Sequence, residues 1–438
     1  MVETVNVVGA GLAGCEAAYQ LAKRNVHVRL YEMKPAKKIP AHSKDYLCEL
    51  CCSNSFRAEG LKNAVGLLKQ ELRELDSLIM KCADENSVPA GGALAVDRDG
   101  FSEAVTHAVK SHPNIELINK EVNSLDFSEN TVVATGPLTS DALSEEIQRF
   151  FGVDYLHFYD AAAPIVSFDS IDMEKAYFAS RYDKGTPDYI NCPMDEDEYE
   201  KFYTELVNAV EVKLHGFEDG KVFEGCMPIE VMAKRGHDTM LFGPLKPVGL
   251  IDSRTRKRSK AVVQLRKDNA ANTLYNMVGF QTHLTFVEQK RVFSLIPGLE
   301  HAEFVRYGVM HRNTFINSPD LLTSSYETRK RKGLFFAGQM TGVEGYIESV
   351  SSGFVAGINA NPGLSQPMIF DRRTAIGALA NYISGGGTDK SFKTKFQPMN
   401  INFGLIPPLE VNLCRMKKAD KYEKLSQRSL ELIRNMNI

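Results

Sequence analysis

The run Val5-Asn6-Val7-Val8-Gly9-Ala10-Gly11-Leu12-Ala13-Gly14 constrains the fold of this chain more than any other stretch. A short β-rich segment ends in three glycines spaced G-x-G-x-x-G, and helix-forming residues, Cys15 to Lys23, follow at once. A second apolar run, Val26 to Tyr31, ends in Glu32, 18 residues beyond Gly14. In that order the elements read as a βαβ unit holding a dinucleotide. Gly9 permits the tight turn, Gly11 lets the backbone approach a pyrophosphate, and Gly14 allows close helix–strand packing. The helix start offers unpaired N–H groups and a positive dipole end to the phosphates. Ala10, Leu12 and Ala13 complete the turn, and Glu32 stands where a carboxylate accepts hydrogen bonds from a ribose. A bare G-x-G-x-x-G fits a simple tight turn as well. The strand, helix, second strand and terminal acid together favour the dinucleotide.

Length and composition narrow the class. At 438 residues the prior is about two to three domains. The chain is 43% hydrophobic and 24% charged with net charge −3, so nothing global draws it to nucleic acid, and an RNA site must be a local patch. The start lacks the basic region of a signal peptide. The uncharged run Ser349 to Phe370 is rich in Ser, Gly, Asn and Pro, which argues against a membrane span. Eight cysteines without a secretion signal predict reduced thiols in a cytoplasmic protein.

Further along, Val65, Leu68, Leu72, Leu75 and Ile79 recur at helical spacing and predict one strong helix. Asp99 to Val109 reads as another helix, and Ile115 to Phe127 and Thr131 to Ala134 as strands. The strand ending in Ala134-Thr135-Gly136-Pro137 resembles the second turn that flavoprotein folds place against their dinucleotide; a plain strand and turn is the alternative. Late in the chain, Gly333 to Gln339 is a strand running into a turn at Gly338, followed by further glycines. That return predicts an inserted middle. Residues 1–185 form the first part of the dinucleotide-binding domain, 186–305 a smaller inserted α/β or α+β domain, and 306–438 the second part with a charged helical tail. No second G-x-G-x-x-G stands between a strand and a helix, so only one dinucleotide has a full Rossmann unit.

The cysteines carry the chemistry. Cys48 and Cys51 form a single C-x-x-C with Cys52 adjacent. Zinc would need a second pair or histidines at similar spacing, and only His42 is near, so no metal site is predicted. A redox-active dithiol beside a flavin and a set of buried, unreactive thiols both remain open; Cys15, Cys82, Cys192 and Cys414 fall to the second. Cys226 lies between Gly225 and Met227-Pro228, in a non-helical turn where a side chain can project. A thiol is a good nucleophile only as thiolate, which needs a helix N-terminus or a basic neighbour. Arg254 to Lys260, Arg266, Lys267, Arg329 to Lys332, Arg415, Lys417 and Lys418 could follow a phosphate backbone or be solvated loop faces. His283, Tyr346, Phe280 and Tyr275 could stack on a flat ring or pack in a core.

Six segments resemble one family. They are Cys52-Ser53-Asn54-Ser55-Phe56-Arg57-Ala58, Val88 through Phe101, Phe158 through Ile165, Gly225-Cys226-Met227-Pro228-Ile229-Glu230-Val231-Met232-Ala233, Val278 through Leu284, and Phe336 through Tyr346. The family is the bacterial folate- and FAD-dependent tRNA (uracil-5-)-methyltransferases, relatives of the flavoproteins that modify the tRNA wobble uridine. The likeness runs from about residue 4 to about residue 410.

The resemblance implies an α/β fold: a Rossmann-type FAD-binding domain with an inserted smaller domain. It implies that 5,10-methylenetetrahydrofolate supplies a carbon, FAD carries it, and NADH or NADPH is the reductant. The product would be 5-methyluridine at T-loop position 54 of tRNA. It assigns Gly9, Ala10, Gly11, Leu12, Ala13, Gly14, Glu32, Gly136, Gly338 and Gln339 to FAD. Cys226 matches the family nucleophile that adds to uracil C6, and Cys52 the second cysteine, in the role of base. Cys51 departs from the family, where an apolar residue is expected; Cys52 is assigned because Ser53-Asn54-Ser55 follows it. A ribosomal RNA uridine is an alternative substrate, and an FAD-dependent disulfide oxidoreductase an alternative enzyme. Oligomeric state is not legible.

Overall fold

The computed structural model describes all residues except 1–2, 40–41, 43, 153–155, 162, 184–185, 213–226, 253, 256–257, 309, 387–395, 410–416 and 437–438. Its first body is built on a five-stranded parallel sheet in the order Leu334–Phe336, Thr131–Val133, Thr4–Val8 (β1), His27–Glu32 (β2), Ile115–Asn119. Val5, Val7, Val28, Leu30, Val132 and Phe336 are fully buried, as strands covered on both faces require. The sheet shows why the late strand matters: it completes the edge beside Thr131–Val133. The fold is Rossmann-type, and the chain does return to finish it.

Helix α1 (Leu12–Lys23) leaves β1 directly. Across it lies the helix Tyr346–Asn359, close because two glycines face it. A Cβ at Gly353 would stand 2.1 Å from the Ala13 carbonyl oxygen, and one at Gly357 2.7 Å from Ala17 Cα.

Periodicity misjudged one element. The helix read through Ile79 is two, Ala64–Glu74 and Leu78–Glu85. Asp76 takes a left-handed φ of 59°, and Ser77 caps the second helix by accepting from the Met80 N–H. The apolar spacing reads through the break because both helices bury their apolar residues in the same core. Likewise the strand predicted to Phe127 ends at Asn119.

The second body is a six-stranded antiparallel sheet, ordered Tyr177–Ala179, Tyr189–Met194, Ala261–Lys267, Leu274–Met277, Ile165–Ser167, Phe304–Arg306. Its first strands precede residue 186, because Ile165–Ser167 pairs with both Leu274–Met277 and Phe304–Arg306. The pattern is α+β. Helix Glu196–Val207 covers the sheet with Tyr199, Phe202 and Leu206, and starts with a capping box between Asp195 and Glu198. The two bodies are joined through an antiparallel pair, Leu156–Ala161 with Met310–Phe315. The tail helix Lys418–Arg434 docks on Ala64–Glu74, where Ser429 and Arg434 reach Glu71 and Glu74.

Candidate active site

The turn after β1 is shaped by what a side chain would hit. Gly9 has φ +97°, and a Cβ there would lie 2.7 Å from the Ala134 carbonyl oxygen. A Cβ at Gly14 would lie 1.8 Å from the Gly9 carbonyl oxygen. At Gly11 it would meet no protein atom within 4 Å, so the space beside that residue is open. Gly11 caps α1 without any side-chain hydrogen bond, which leaves the first amides of the helix pointing at that opening.

A cleft enclosing roughly 1290 Å³, open solvent at its mouth included, begins there. Gly9, Ala10, Gly11, Leu12, Ala13, Glu32, Gly136, Gly338 and Gln339 all line it, together with Cys51, Cys52, His42 and Tyr346. Gly14 packs behind the turn instead. Glu32 is not a bare acceptor: its carboxylate takes the Ala10 N–H at 3.0 Å and the Lys34 N–H at 3.1 Å. Those bonds fix the carboxylate at the cleft wall and leave lone pairs for a further donor. Gln339 is oriented by Glu344, 2.8 Å from its side-chain nitrogen.

Cys52 lies 3.0 Å from the Tyr346 hydroxyl. That oxygen also accepts from the N–H groups of Cys52 (2.9 Å) and Ser53 (3.3 Å). With both acceptor positions taken, the hydroxyl proton is directed at the Cys52 sulfur. Burial, then the neighbouring Cys52 and Cys51, hold the Tyr346 phenol far above its ordinary value, so it stays a donor. Three successive carbonyls are gripped by arginines: Arg98 donates to Leu50 (2.7 Å) and Cys52 (3.2 Å), Arg306 to Cys51 (2.7 Å). Arg98 is anchored by Asp268 at 2.8 Å, and Arg266 donates to Ser53 and Asn54. Arg306, Asp268 and Arg266 all belong to the second body, so both bodies hold the thiol loop.

The other thiols are set differently. Burial pushes the Cys51 thiol up to about 12 and holds the Cys48 thiol well above its ordinary value, and Cys48 is closed in against the Ala10 carbonyl. Both shifts disfavour the thiolate that disulfide exchange needs. Cys226 lies outside the described residues, as do Cys414, Arg256, Lys257 and Arg415. Phe280 and Tyr275 are core residues rather than stacking platforms. Arg254 is folded onto Asp252 and the carbonyl of Lys175, Lys260 onto Glu196, and Arg331 onto the Leu125 carbonyl, so part of the expected phosphate-tracking charge is engaged within the chain. Sequence reasoning missed Arg98, Arg306 and Asp268; Arg98 stood inside a quoted segment, but nothing local marked its partner.

The family model described as "GIDA: Glucose inhibited division protein A" matches residues 4–366. The methylenetetrahydrofolate–tRNA-(uracil-5-)-methyltransferase TrmFO of Natranaerobius thermophilus is 60% identical over 431 residues, covering 98% of each chain. That of Bacillus licheniformis is also 60% identical, over 100% of this chain and 99% of its own. The chain belongs to the TrmFO family.

Aquifex aeolicus GidA is similar in fold, with a TM-score of 0.68 at 17% identity, over 100% of this chain and 74% of the other. The match covers both bodies, so the antiparallel sheet is part of the shared architecture. Among the described residues, no helix is long and apolar enough to cross a membrane.

Proposed function

We propose that this chain methylates C5 of a tRNA uridine, at T-loop position 54, with methylenetetrahydrofolate as carbon donor, FAD as cofactor and NADH or NADPH as reductant. The observation that carries the reading is that Cys52 lines the same cleft as the G-x-G-x-x-G turn. The relatives' names supply the substrate class. The cleft suits FAD on two counts. The opening beside Gly11 lets a pyrophosphate reach the α1 amides. His42 lines the cleft with its Nδ1 buried and unbonded among the described residues, a polar atom awaiting a partner. Burial and the nearby Lys34 push that imidazole down to about 4, so it is neutral at working pH.

FAD bound there would supply the carrier and the hydride for the transferred carbon. The chain's own part is acid–base and nucleophilic. Uracil C5 attacks poorly until a nucleophile adds at C6, and Cys226 is the thiol for that step. The C5 proton must then leave, and Cys52 takes it. The Tyr346 hydroxyl, donating to the sulfur, favours the thiolate that accepts it. Arg98 and Arg306 keep the loop in place through three carbonyls.

Purified protein given FAD, methylenetetrahydrofolate, NADPH and unmodified tRNA should form 5-methyluridine. Absence of product with tRNA would overturn the substrate, and full turnover by Cys226→Ala would overturn the nucleophile.

A further inference from the structure

A cluster in the second body, away from the cleft residues described above, is built around one buried histidine. His283 Nε2 lies 2.6 Å from Glu211 Oε2. On its other side, Nδ1 lies 2.7 Å from Glu230 Oε1, near enough for ion pairing though off the line of a good hydrogen bond. Glu230 is fully buried, and also accepts from the His283 N–H and the Thr282 hydroxyl, each at 2.8 Å. Glu211 pairs in addition with Lys234. Glu288, the other acid close by, accepts from the Val210 N–H and is neutralised by Arg291. The sum of charges decides the state of the ring. Glu211 has Lys234, whereas among the described residues Glu230 pairs only with His283. A neutral imidazole would leave a buried carboxylate without a counter-charge, which is strongly unfavourable. Burial by itself would push the imidazole down; the carboxylates of Glu230 and Glu211 outweigh it and hold it above its ordinary value.

The positions of the two acids along the chain give the cluster its meaning. Glu211 and Val212 come immediately before residues 213–226, and Met227 to Glu230 immediately after. The entering stem is tied to the backbone around the histidine: the Val212 N–H donates to the His283 carbonyl at 2.9 Å, and Glu211 forms an isolated antiparallel bridge with Leu284. The leaving stem is tied there too, with the Ile229 N–H on the Gln281 carbonyl at 2.8 Å. One side chain therefore bonds across both ends of the segment whose last residue is Cys226.

We propose that His283, as an imidazolium between Glu211 and Glu230, is a positioning residue that clasps both stems of the 213–226 segment and is required for transfer to the uridine but not for flavin reduction. The inference rests on the assignment of Cys226 as nucleophile. Neutralising the ring removes the clasp, so transfer falls on the alkaline side of the imidazolium's titration and is intact below it.

The test uses full-length, FAD-loaded protein. His283→Gln, which cannot charge, should lower kcat for 5-methyluridine formation on the order of 10²-fold. NADPH-driven flavin reduction should stay at the wild-type rate, and the alkaline limb of the kcat profile should vanish. If the single variant fails to fold, Glu230→Gln with His283→Gln removes the stranded charge and is read in the same way. Wild-type protein offers an arm without substitution: iodoacetamide labelling of Cys226, followed by peptide mass, should show a step at the imidazole's titration beyond that of the thiol. Wild-type turnover and an unchanged alkaline limb in the histidine variant, or a labelling profile with a single titration, would overturn the clasp. Full activity of Cys226→Ser would instead overturn the nucleophile assignment, whatever His283 does.

Discussion

The two sheets hold their shares of the cleft by different means. The parallel body does so with backbone: Gly9, Gly14, Gly353 and Gly357 let chain segments approach to distances no side chain would permit. The antiparallel body reaches in with charge, through Arg266, Arg306 and the Asp268 that steadies Arg98. Backbone packing is insensitive to pH and salt but sensitive to an added methyl group. Buried ion pairs fail when one partner is removed, because the remaining charge is stranded. The same thiol loop depends on both.

Asp268→Ala is the severest challenge to this contrast. It leaves Arg98 buried with only carbonyls for company, and should lower stability by about 3–5 kcal/mol in denaturant unfolding. A loss no larger than that of an exposed acid would mean that the carbonyls alone sustain the guanidinium. Next comes pH. Burial pushes Glu71 up to about 7 from 4.5, against the hydrogen bonds from Ser429, Ala375 and Ile376. Because the folded value is raised, this contribution is complete below pH 4.5 and is lost as pH rises through about 7. The loss is on the order of 3 kcal/mol, and Glu71→Gln should flatten that part of the Tm profile. It would show that the parallel body, too, carries one charge-dependent joint.

The glycines should divide sharply. Gly14→Ala should cost about 1–3 kcal/mol of stability, through overpacking against the Gly9 carbonyl. Gly11→Ala meets no protein atom, so its Tm should stay near the parent while FAD retention on gel filtration weakens. The smallest effect belongs to Cys51→Ala. With its thiol pushed up to about 12, it should leave 5-methyluridine formation near the parent rate. A large fall would bring the dithiol reading back.

This contrast also explains what could be read from residues in order. A positive φ or a close approach restricts the residue type at that position, so Gly9, Gly14 and Gly338 mark the turns in the sequence itself. The parallel sheet, with the strand Leu334–Phe336 returning to its edge, followed from the same punctuation. The grip on the thiol loop did not. Arg98 and Asp268 are far apart in the chain, and neither position is limited to one residue type by its backbone. Periodicity likewise could not show the break at Asp76, since the apolar residues of both helices enter one core. The start of the second body was hidden because Ile165–Ser167 is too short to carry a pattern and gains its partners from Leu274–Met277 and Phe304–Arg306.

The contact between α1 and the helix Tyr346–Asn359 has a consequence for the making of the protein. The nucleotide turn leaves the ribosome among the first residues, while Gly353 and Gly357, which seat its covering helix, come near the end. At about 5–20 residues per second, the interval is on the order of tens of seconds. Throughout it, Thr131–Val133 has an open edge and one face of α1 is bare, while the whole antiparallel body is being delivered. The earliest-made part of the cleft is thus the last to close, and a chain stopped before residue 334 would carry the complete G-x-G-x-x-G signature without the surface that keeps it folded.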